Sequence, residues 1–226
     1  MEYKLWLLAV FSAAFLLCTC LGQAPGIDLT LQLEAAGTDV VLASIGRIEQ
    51  AGIFPSDNRL LRRVAFAETR DGVDSDTFRA GYNGGIWQVD EDIFNQTQDT
   101  TANPELLQTY QQLQVTFGIG WPNVTWADLR RPLFSALAAR LYFTTVNEPI
   151  PLAGDLRGQG EYWKNNYNSN DEDTVQEFID TINALEEEGK GQLCILYKHN
   201  NMLSEEKLHN SWLFDLASIS ASYTAW

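Results

Sequence analysis

The sequence predicts a mainly helical domain of the α+β class, with one small β-hairpin beside the helices. Apolar residues recur at helical spacing in most segments between residues 38 and 188. The stretch 71–94 lacks that period, is rich in glycine and contains a short alternating segment. With 226 residues, of which 45% are hydrophobic and 20% charged, the chain is long enough for one globular domain with a sizeable core.

The helices are predicted in chain order from apolar stripes and from residues that end helices. Over 38–50, Val41, Ile45 and Ile48 share one face, and Gly52 follows the last turn. The same kinds of signal predict six further helices, at residues 58–70, 91–97, 103–117, 130–147, 154–167 and 171–188.

The glycine-rich stretch 71–94 is predicted to hold the β-hairpin. Adjacent glycines at Gly84 and Gly85 permit a tight turn or a positive φ. The four residues that follow, Ile-Trp-Gln-Val at 86–89, alternate as in a short strand.

Residues 1–22 are predicted to be a signal peptide. Lys4 precedes an almost unbroken apolar run from Leu5 to Leu17, and small residues suited to cleavage follow it. The run is short for a membrane span, although an uncleaved signal anchor is the alternative. We therefore expect a secreted, extracellular protein that is not attached to a membrane after cleavage.

The chain is thus predicted to have three parts. Residues 1–22 are the signal peptide, and residues 23–188 form the folded domain. Residues 189–226 are a C-terminal tail of unknown role, because their apolar residues build no clear helical face. We expect the domain to be a monomer.

Cysteine use and two short motifs agree with secretion. Cleavage would remove Cys18 and Cys20 and leave Cys194, so no internal disulfide is expected. Asn95 and Asn123 each begin an Asn-X-Thr tripeptide, which is an acceptor motif for N-glycosylation.

Charge and histidine use exclude several classes of function. The chain has 30 acidic against 15 basic residues and a formal net charge of −15, which would repel nucleic acid and anionic lipid. Both histidines, His199 and His209, lie in the tail, so the first 198 residues offer neither a histidine-based catalytic triad nor a histidine-ligated metal. We predict no metal and no cofactor, and acid–base chemistry that comes mainly from carboxylates.

Glu68 is the strongest candidate for a catalytic group. It follows Leu60 and Val64 on one face of the predicted second helix, so it ends a stripe that faces the core. An apolar setting raises the pKa of a carboxyl group and lets it hold a proton near neutral pH, as a general acid must. The alternative is a structural ion pair with a nearby arginine, which would be Arg62, Arg63 or Arg70.

A second group of candidates lies in the run from Tyr82 to Asp90. Trp87 offers a flat face for a sugar ring, and Gln88 offers a neutral donor and acceptor for hydroxyl or amide groups. The alternative is an ordinary turn that carries a core tryptophan.

Taken together, three motifs resemble the lysozyme-like superfamily, and within it the branch of goose-type lysozymes and soluble lytic transglycosylases. They are Ala-Glu-Thr at 67–69, Gly-Ile-Trp-Gln-Val at 85–89, and the run from Tyr162 to Asn168 that follows the predicted helix 130–147. Their order and rough spacing agree with that family over residues 38–188. The resemblance implies a lysozyme-like helical domain with the hairpin beside a substrate cleft.

The resemblance also implies roles for single residues. Glu68 would protonate the glycosidic oxygen, and Thr69 would orient a neighbour. Gln88 and the hairpin backbone would bind the sugar, while Tyr167 and Asn168 would position Glu68 and the substrate.

This chain departs from the family pattern in two places. Trp87 stands where the family has methionine, and Ser169 follows the Tyr-Asn pair in place of Ala-Gly. A substrate acetamido group would remove the need for a second carboxylate. If one takes part, the candidates are Asp71, Asp74, Asp76 and Asp90.

The resemblance implies a glycosidase that cleaves the N-acetylhexosamine backbone of peptidoglycan, as a lysozyme or a lytic transglycosylase. Chitin is the alternative substrate, and the acidic composition agrees better with it because an acidic protein gains no attraction to an anionic cell wall. A non-catalytic extracellular carbohydrate-binding protein is a further alternative, since a fold alone does not establish activity.

Overall fold

A computed structural model describes residues 27–168 and 174–187. In these residues the chain forms seven α-helices, three short 3₁₀ turns and no β-strand. The helices are α1 (Thr38–Ala51), α2 (Leu60–Thr69), α3 (Glu91–Gln96), α4 (Leu106–Phe117), α5 (Pro132–Thr145), α6 (Leu156–Asn166) and α7 (residues 175–187). The 3₁₀ turns are Leu29–Leu31, Trp121–Asn123 and Trp126–Arg130.

The core is built around α5. Pro132 begins this helix, and buried residues occupy nearly all of its circumference, among them Leu133, Leu137 and Leu141. A helix that is apolar on all sides must be covered on all sides. It contacts α1, α2, α3 and the first and third 3₁₀ turns, so α5 is the central element that holds the helices of the site in place.

The predicted β-hairpin, and with it the α+β class, is wrong. Residues 84–89, which we call the buried turn, fold as a compact turn closed by hydrogen bonds from the Gln88 amide to the Gly85 carbonyl and from the Val89 amide to the Gly84 carbonyl. Five of its six residues are buried, and Gln88 is the exception. The segment therefore lacks the alternation of buried and exposed side chains that is typical of a strand with one face in solvent.

Side chains take the place of a partner strand in satisfying the backbone of the buried turn. The Ile86 carbonyl accepts from the Thr69 hydroxyl at 2.7 Å, and the Trp87 carbonyl accepts from the Tyr167 hydroxyl at 2.6 Å. The Ser135 hydroxyl accepts from the Trp87 amide and donates to the Gly84 carbonyl. Buried backbone groups must find partners, and here they find them on α2, on α5 and just beyond α6.

Several sequence predictions fall outside the described residues. The signal peptide 1–22, the tail 189–226 and Cys194 are among them. Among the residues that are described, no helix is both long enough and apolar enough to cross a membrane.

Candidate functional site

The site begins at the C-terminal end of α2. Arg70 and Asp71 both adopt left-handed backbone conformations, with φ of 48° and 64°, so the helix stops sharply after Thr69. The buried Asp71 carboxylate receives two hydrogen bonds from the Arg62 guanidinium, at 2.5 and 2.9 Å, and one from the Thr38 hydroxyl at 2.7 Å. These three bonds hold the unusual backbone in place and commit Asp71 to structure.

Glu68 is half-buried in the last turn of α2. The indole N–H of Trp163, on α6, donates a hydrogen bond of 2.7 Å to its Oε1 atom. Because Trp163 is buried and its indole can only donate, this contact fixes where the carboxyl group sits.

The arginines considered as ion-pair partners of Glu68 pair with other carboxylates. Arg62 binds Asp71, and Arg63 binds Glu186 of α7 at 3.0 Å. Arg70 lies 3.9 Å from Asp74.

Thr69 connects the end of α2 to the buried turn. It is buried, donates to the Ile86 carbonyl at 2.7 Å and accepts from the Gly72 amide at 2.9 Å. Through these bonds the residue next to Glu68 joins the end of α2 to the buried turn.

Gln88 is the one residue of the buried turn that reaches the surface. Its backbone is left-handed, with φ of 48°, and its side-chain amide donates to the carbonyls of Gly85 and Thr77. Its Oε1 atom accepts from Arg79 at 2.6 Å. The Gln88 side chain is thereby held at the edge of the same cleft as Glu68.

A cleft of about 350 Å³ brings these residues together, and we call it the Glu68 cleft. Its walls carry two of the candidate second carboxylates, Asp74 and Asp76. Both belong to residues 73–81, a segment of mostly exposed residues that we call the exposed loop. The full lining is Glu68, Thr69, Asp74, Ser75, Asp76, Thr77, Arg79 and Gln88.

A larger cavity of about 550 Å³, which we call the Tyr82 cavity, holds most of the remaining candidates. Tyr82 and Asp90 line it together, and the Tyr82 hydroxyl donates to Asp90 Oδ1 at 2.8 Å. Trp126 meets Tyr82 edge to face and donates its indole N–H to the Val89 carbonyl. The other lining residues are Glu91, Asp92, Ile93, Tyr142, Asn165, Asn166, Tyr167 and Asn168.

Tyr82 links the two spaces. Its hydroxyl lies 2.8 Å from the carbonyl oxygen of Gln88, a residue of the Glu68 cleft, while its ring lines the Tyr82 cavity. Burial, the hydrogen bond to Asp90 and the negative charges of Asp90 and Glu68 raise the pKa of Tyr82 far above the usual value, against a lowering by Arg79.

Tyr167 is buried and supports the site through its hydroxyl group. Burial, and after it the charge of Glu68, raise the pKa of Tyr167 well above the usual value, so it remains a hydrogen-bond donor to the Trp87 carbonyl. Its neighbour Asn168 lines the Tyr82 cavity.

Trp87 does not offer a face to a ligand. It is fully buried, and its indole N–H donates to the Leu61 carbonyl of α2 at 2.8 Å. The alternative of a core tryptophan is the one that the structure shows, and Trp87 supports the site by tying the buried turn to α2.

The glycosylation candidates lie away from these spaces. Asn95 and Asn123 are both exposed, and neither lines the Glu68 cleft or the Tyr82 cavity. Thr97 of the first motif is fully buried and bonds the Phe94 carbonyl.

Two contacts of the site were not predicted from the sequence. The Arg79 guanidinium lies 3.7 Å from the centre of the Tyr82 ring while it binds Gln88, and Trp163 binds Glu68. Trp163 lies in the run that carries the third motif, so the motif pointed to its place in the chain but not to its bond. No pattern in the sequence marks Arg79.

Over the described ranges, no group of three or more His, Cys, Asp or Glu side chains is arranged to hold a metal ion. A comparison of the chain with protein-family models finds no match, and neither curated proteins nor solved structures give a significant match. The lysozyme-like resemblance therefore stays a prediction that depends on the three motifs.

Proposed function

We propose that this protein is a secreted glycosidase that cleaves the backbone of an N-acetylhexosamine polysaccharide, with Glu68 as the general acid. The observation that carries the proposal is the setting of Glu68. The carboxyl group is half-buried at a helix end, is held by the Trp163 indole, and lines a cleft with Gln88 and two further carboxylates. Such a setting suits proton donation to a leaving oxygen.

Two of the four candidates for the second carboxylate remain in this proposal. Asp71 is bound by Arg62 and Thr38, and Asp90 lines the other cavity with Tyr82. Asp74 and Asp76 line the Glu68 cleft itself, so in this proposal one of them activates the attacking water. A substrate acetamido group is the alternative to such a base.

The Tyr82 cavity continues the binding surface in this proposal. Aromatic and amide side chains, such as Trp126 and Asn166, recognise sugar rings through apolar faces and hydroxyl groups through hydrogen bonds. Peptidoglycan and chitin share the N-acetylhexosamine unit, and both are substrates to be assayed. A carbohydrate-binding protein without turnover is the second candidate, because the same lining serves binding alone.

The test is hydrolysis of purified peptidoglycan and of chitin oligomers by the wild type and by Glu68→Gln. Glutamine keeps the size of the side chain and an oxygen that accepts the Trp163 bond, but it cannot give up a proton. We expect kcat to fall by about 10²- to 10⁴-fold while the melting temperature stays nearly the same. Product ends, reducing or anhydro, distinguish hydrolysis from transglycosylation.

The matched control is Glu161→Gln, which makes the same chemical change at an exposed position of α6. It should leave activity unchanged. Full activity of Glu68→Gln would contradict the role of Glu68, and glycan binding by a wild type that cleaves nothing would favour the second candidate.

A further inference from the structure

The lining of the site is rich in acidic side chains. The Glu68 cleft and the Tyr82 cavity together carry six carboxyl groups and a single guanidinium. The carboxyl groups belong to Glu68, Asp74, Asp76, Asp90, Glu91 and Asp92. Among the described residues, no basic side chain lines the Tyr82 cavity, and its three charged side chains are all acidic.

The single guanidinium of the site is already engaged. Arg79 donates to Gln88 Oε1 at 2.6 Å and to the Asp76 carbonyl at 3.1 Å, and it lies against the Tyr82 ring. Both bonds come from its Nη1 atom, and this one guanidinium is outnumbered by the six carboxyl groups of the site.

Other arginines near the site do not offset its charge. Arg62 is neutralised by Asp71, and Arg130 and Arg131 are paired with Glu34 and Asp128. The chain as a whole has 30 acidic against 15 basic residues, so its net charge has the same sign as that of the site.

We infer that the glycan bound here carries free amino groups: a polymer of N-acetylglucosamine that is partly deacetylated, with protonated glucosamine units over the Tyr82 cavity. This inference rests on the proposed function and names its substrate class. Protonated amines gain from the carboxylates of Glu91 and Asp92, whereas the carboxylates and phosphates of bacterial cell walls are repelled. The aromatic and amide residues of the cavity recognise the sugar ring in either case.

The test measures binding with the Glu68→Gln variant, so that turnover does not interfere. Titration calorimetry compares a fully acetylated glucosamine hexamer, a hexamer with free amino groups and a soluble peptidoglycan fragment. At low salt we expect the amino hexamer to bind about tenfold more tightly than the acetylated one, and the difference to shrink at about 0.5 M salt because such interactions are screened. The peptidoglycan fragment should bind most weakly.

Matched double variants locate the effect. Glu91→Gln with Asp92→Asn removes two charges from the Tyr82 cavity and should erase most of the preference. Asp180→Asn with Glu187→Gln removes two charges from exposed positions of α7 that line neither space, and it should leave the preference intact. If the cavity variant does not fold, the salt dependence of binding by Glu68→Gln still tests whether the preference is electrostatic.

The outcomes separate this inference from the proposed function. Equal or tighter binding of the acetylated hexamer or the peptidoglycan fragment overturns the inference, even if the wild type cleaves chitin oligomers. Preferential binding of the amino hexamer supports the inference even if the wild type cleaves no glycan, a result that overturns the proposed function. Failure to bind any of the three overturns the inference, and hydrolysis by the wild type then tests the proposed function separately.

Discussion

The two parts of the connection between α2 and α3 differ in how they are held. The buried turn, residues 84–89, has backbone groups bound by side chains from distant parts of the chain, including Thr69, Ser135 and Tyr167. The exposed loop, residues 73–81, is held mainly by short-range backbone bonds, such as that from the Thr77 amide to the Asp74 carbonyl.

Because of this difference, the two parts contribute different properties to the site. The buried turn sets the position of Gln88 and therefore the shape of the cleft, whereas the exposed loop supplies Asp74 and Asp76 and therefore much of its charge. Substitutions in the buried turn should change stability, and those in the exposed loop should change the chemistry and affinity of the cleft.

The largest expected effect on stability comes from replacing one glycine with a positive φ in each part by alanine. An alanine Cβ at Gly85 would overlap the Leu129 carbonyl oxygen and lie 2.8 Å from Ser135 Oγ, at a φ of +65°. Gly81 has a similar φ of +80° but nothing within 4 Å. Gly85→Ala should therefore cost about 3 kcal/mol or more in the free energy of unfolding, and Gly81→Ala about 1 kcal/mol from backbone strain alone.

Urea denaturation of both variants measures this contrast. Because both replacements add the same methyl group at a left-handed backbone, the difference between them isolates the packing around the buried turn. Equal destabilisation by the two replacements would show that the buried turn is no more tightly held than the exposed loop.

The second-largest expected effect on stability comes from removing the hydroxyl group of Ser135. Ser135, on α5, is fully buried and bonds both the Trp87 amide and the Gly84 carbonyl. Ser135→Ala leaves the Trp87 amide without its partner and should cost about 2 kcal/mol, because an unsatisfied buried donor carries its full desolvation penalty. The same replacement at the exposed Ser75 should cost less than about 0.5 kcal/mol.

Thermal or urea unfolding of the two serine variants makes the measurement. A cost below 0.5 kcal/mol for both would mean that side-chain hydrogen bonds contribute little to the buried turn, and the comparison would fail.

The sequence predicted the helices well, since apolar stripes are local signals. Helix α1 is found at Thr38–Ala51 where 38–50 was predicted, and Glu68 is half-buried at the end of α2 as its stripe indicates. The hairpin was wrong because a short apolar run can be a strand or a buried turn. What decides between them is the set of partners for the backbone, and those partners include Ser135 and Tyr167, which lie far along the chain.

The site was predictable only in part for the same reason. Three motifs pointed to Glu68, Gln88 and Tyr167, but the hydrogen bond from Trp163 and the position of Arg79 depend on tertiary packing. Local spacing also could not show that Asp71 is bound by Arg62 while Asp74 lines the cleft, although the two are only three positions apart.

The smallest expected effect is at Tyr82, which lies between the two parts. Burial and the hydrogen bond to Asp90 raise its pKa, so its phenol stays protonated in the folded protein when the unfolded chain begins to ionise near its ordinary value of 10.0. The stability that this raised pKa contributes is complete below about pH 10 and is lost as the pH rises towards the folded-state pKa.

Tyr82→Phe should cost about 1 kcal/mol at pH 7, through the lost bonds to Asp90 and the Gln88 carbonyl. Urea unfolding at pH 7 and pH 10.5 should show that cost shrinking at the higher pH. In an Asp90→Asn background the shrinkage should persist, because burial is the largest cause of the raised pKa. A cost that is the same at both pH values would mean that the pKa of Tyr82 is not raised in the folded protein.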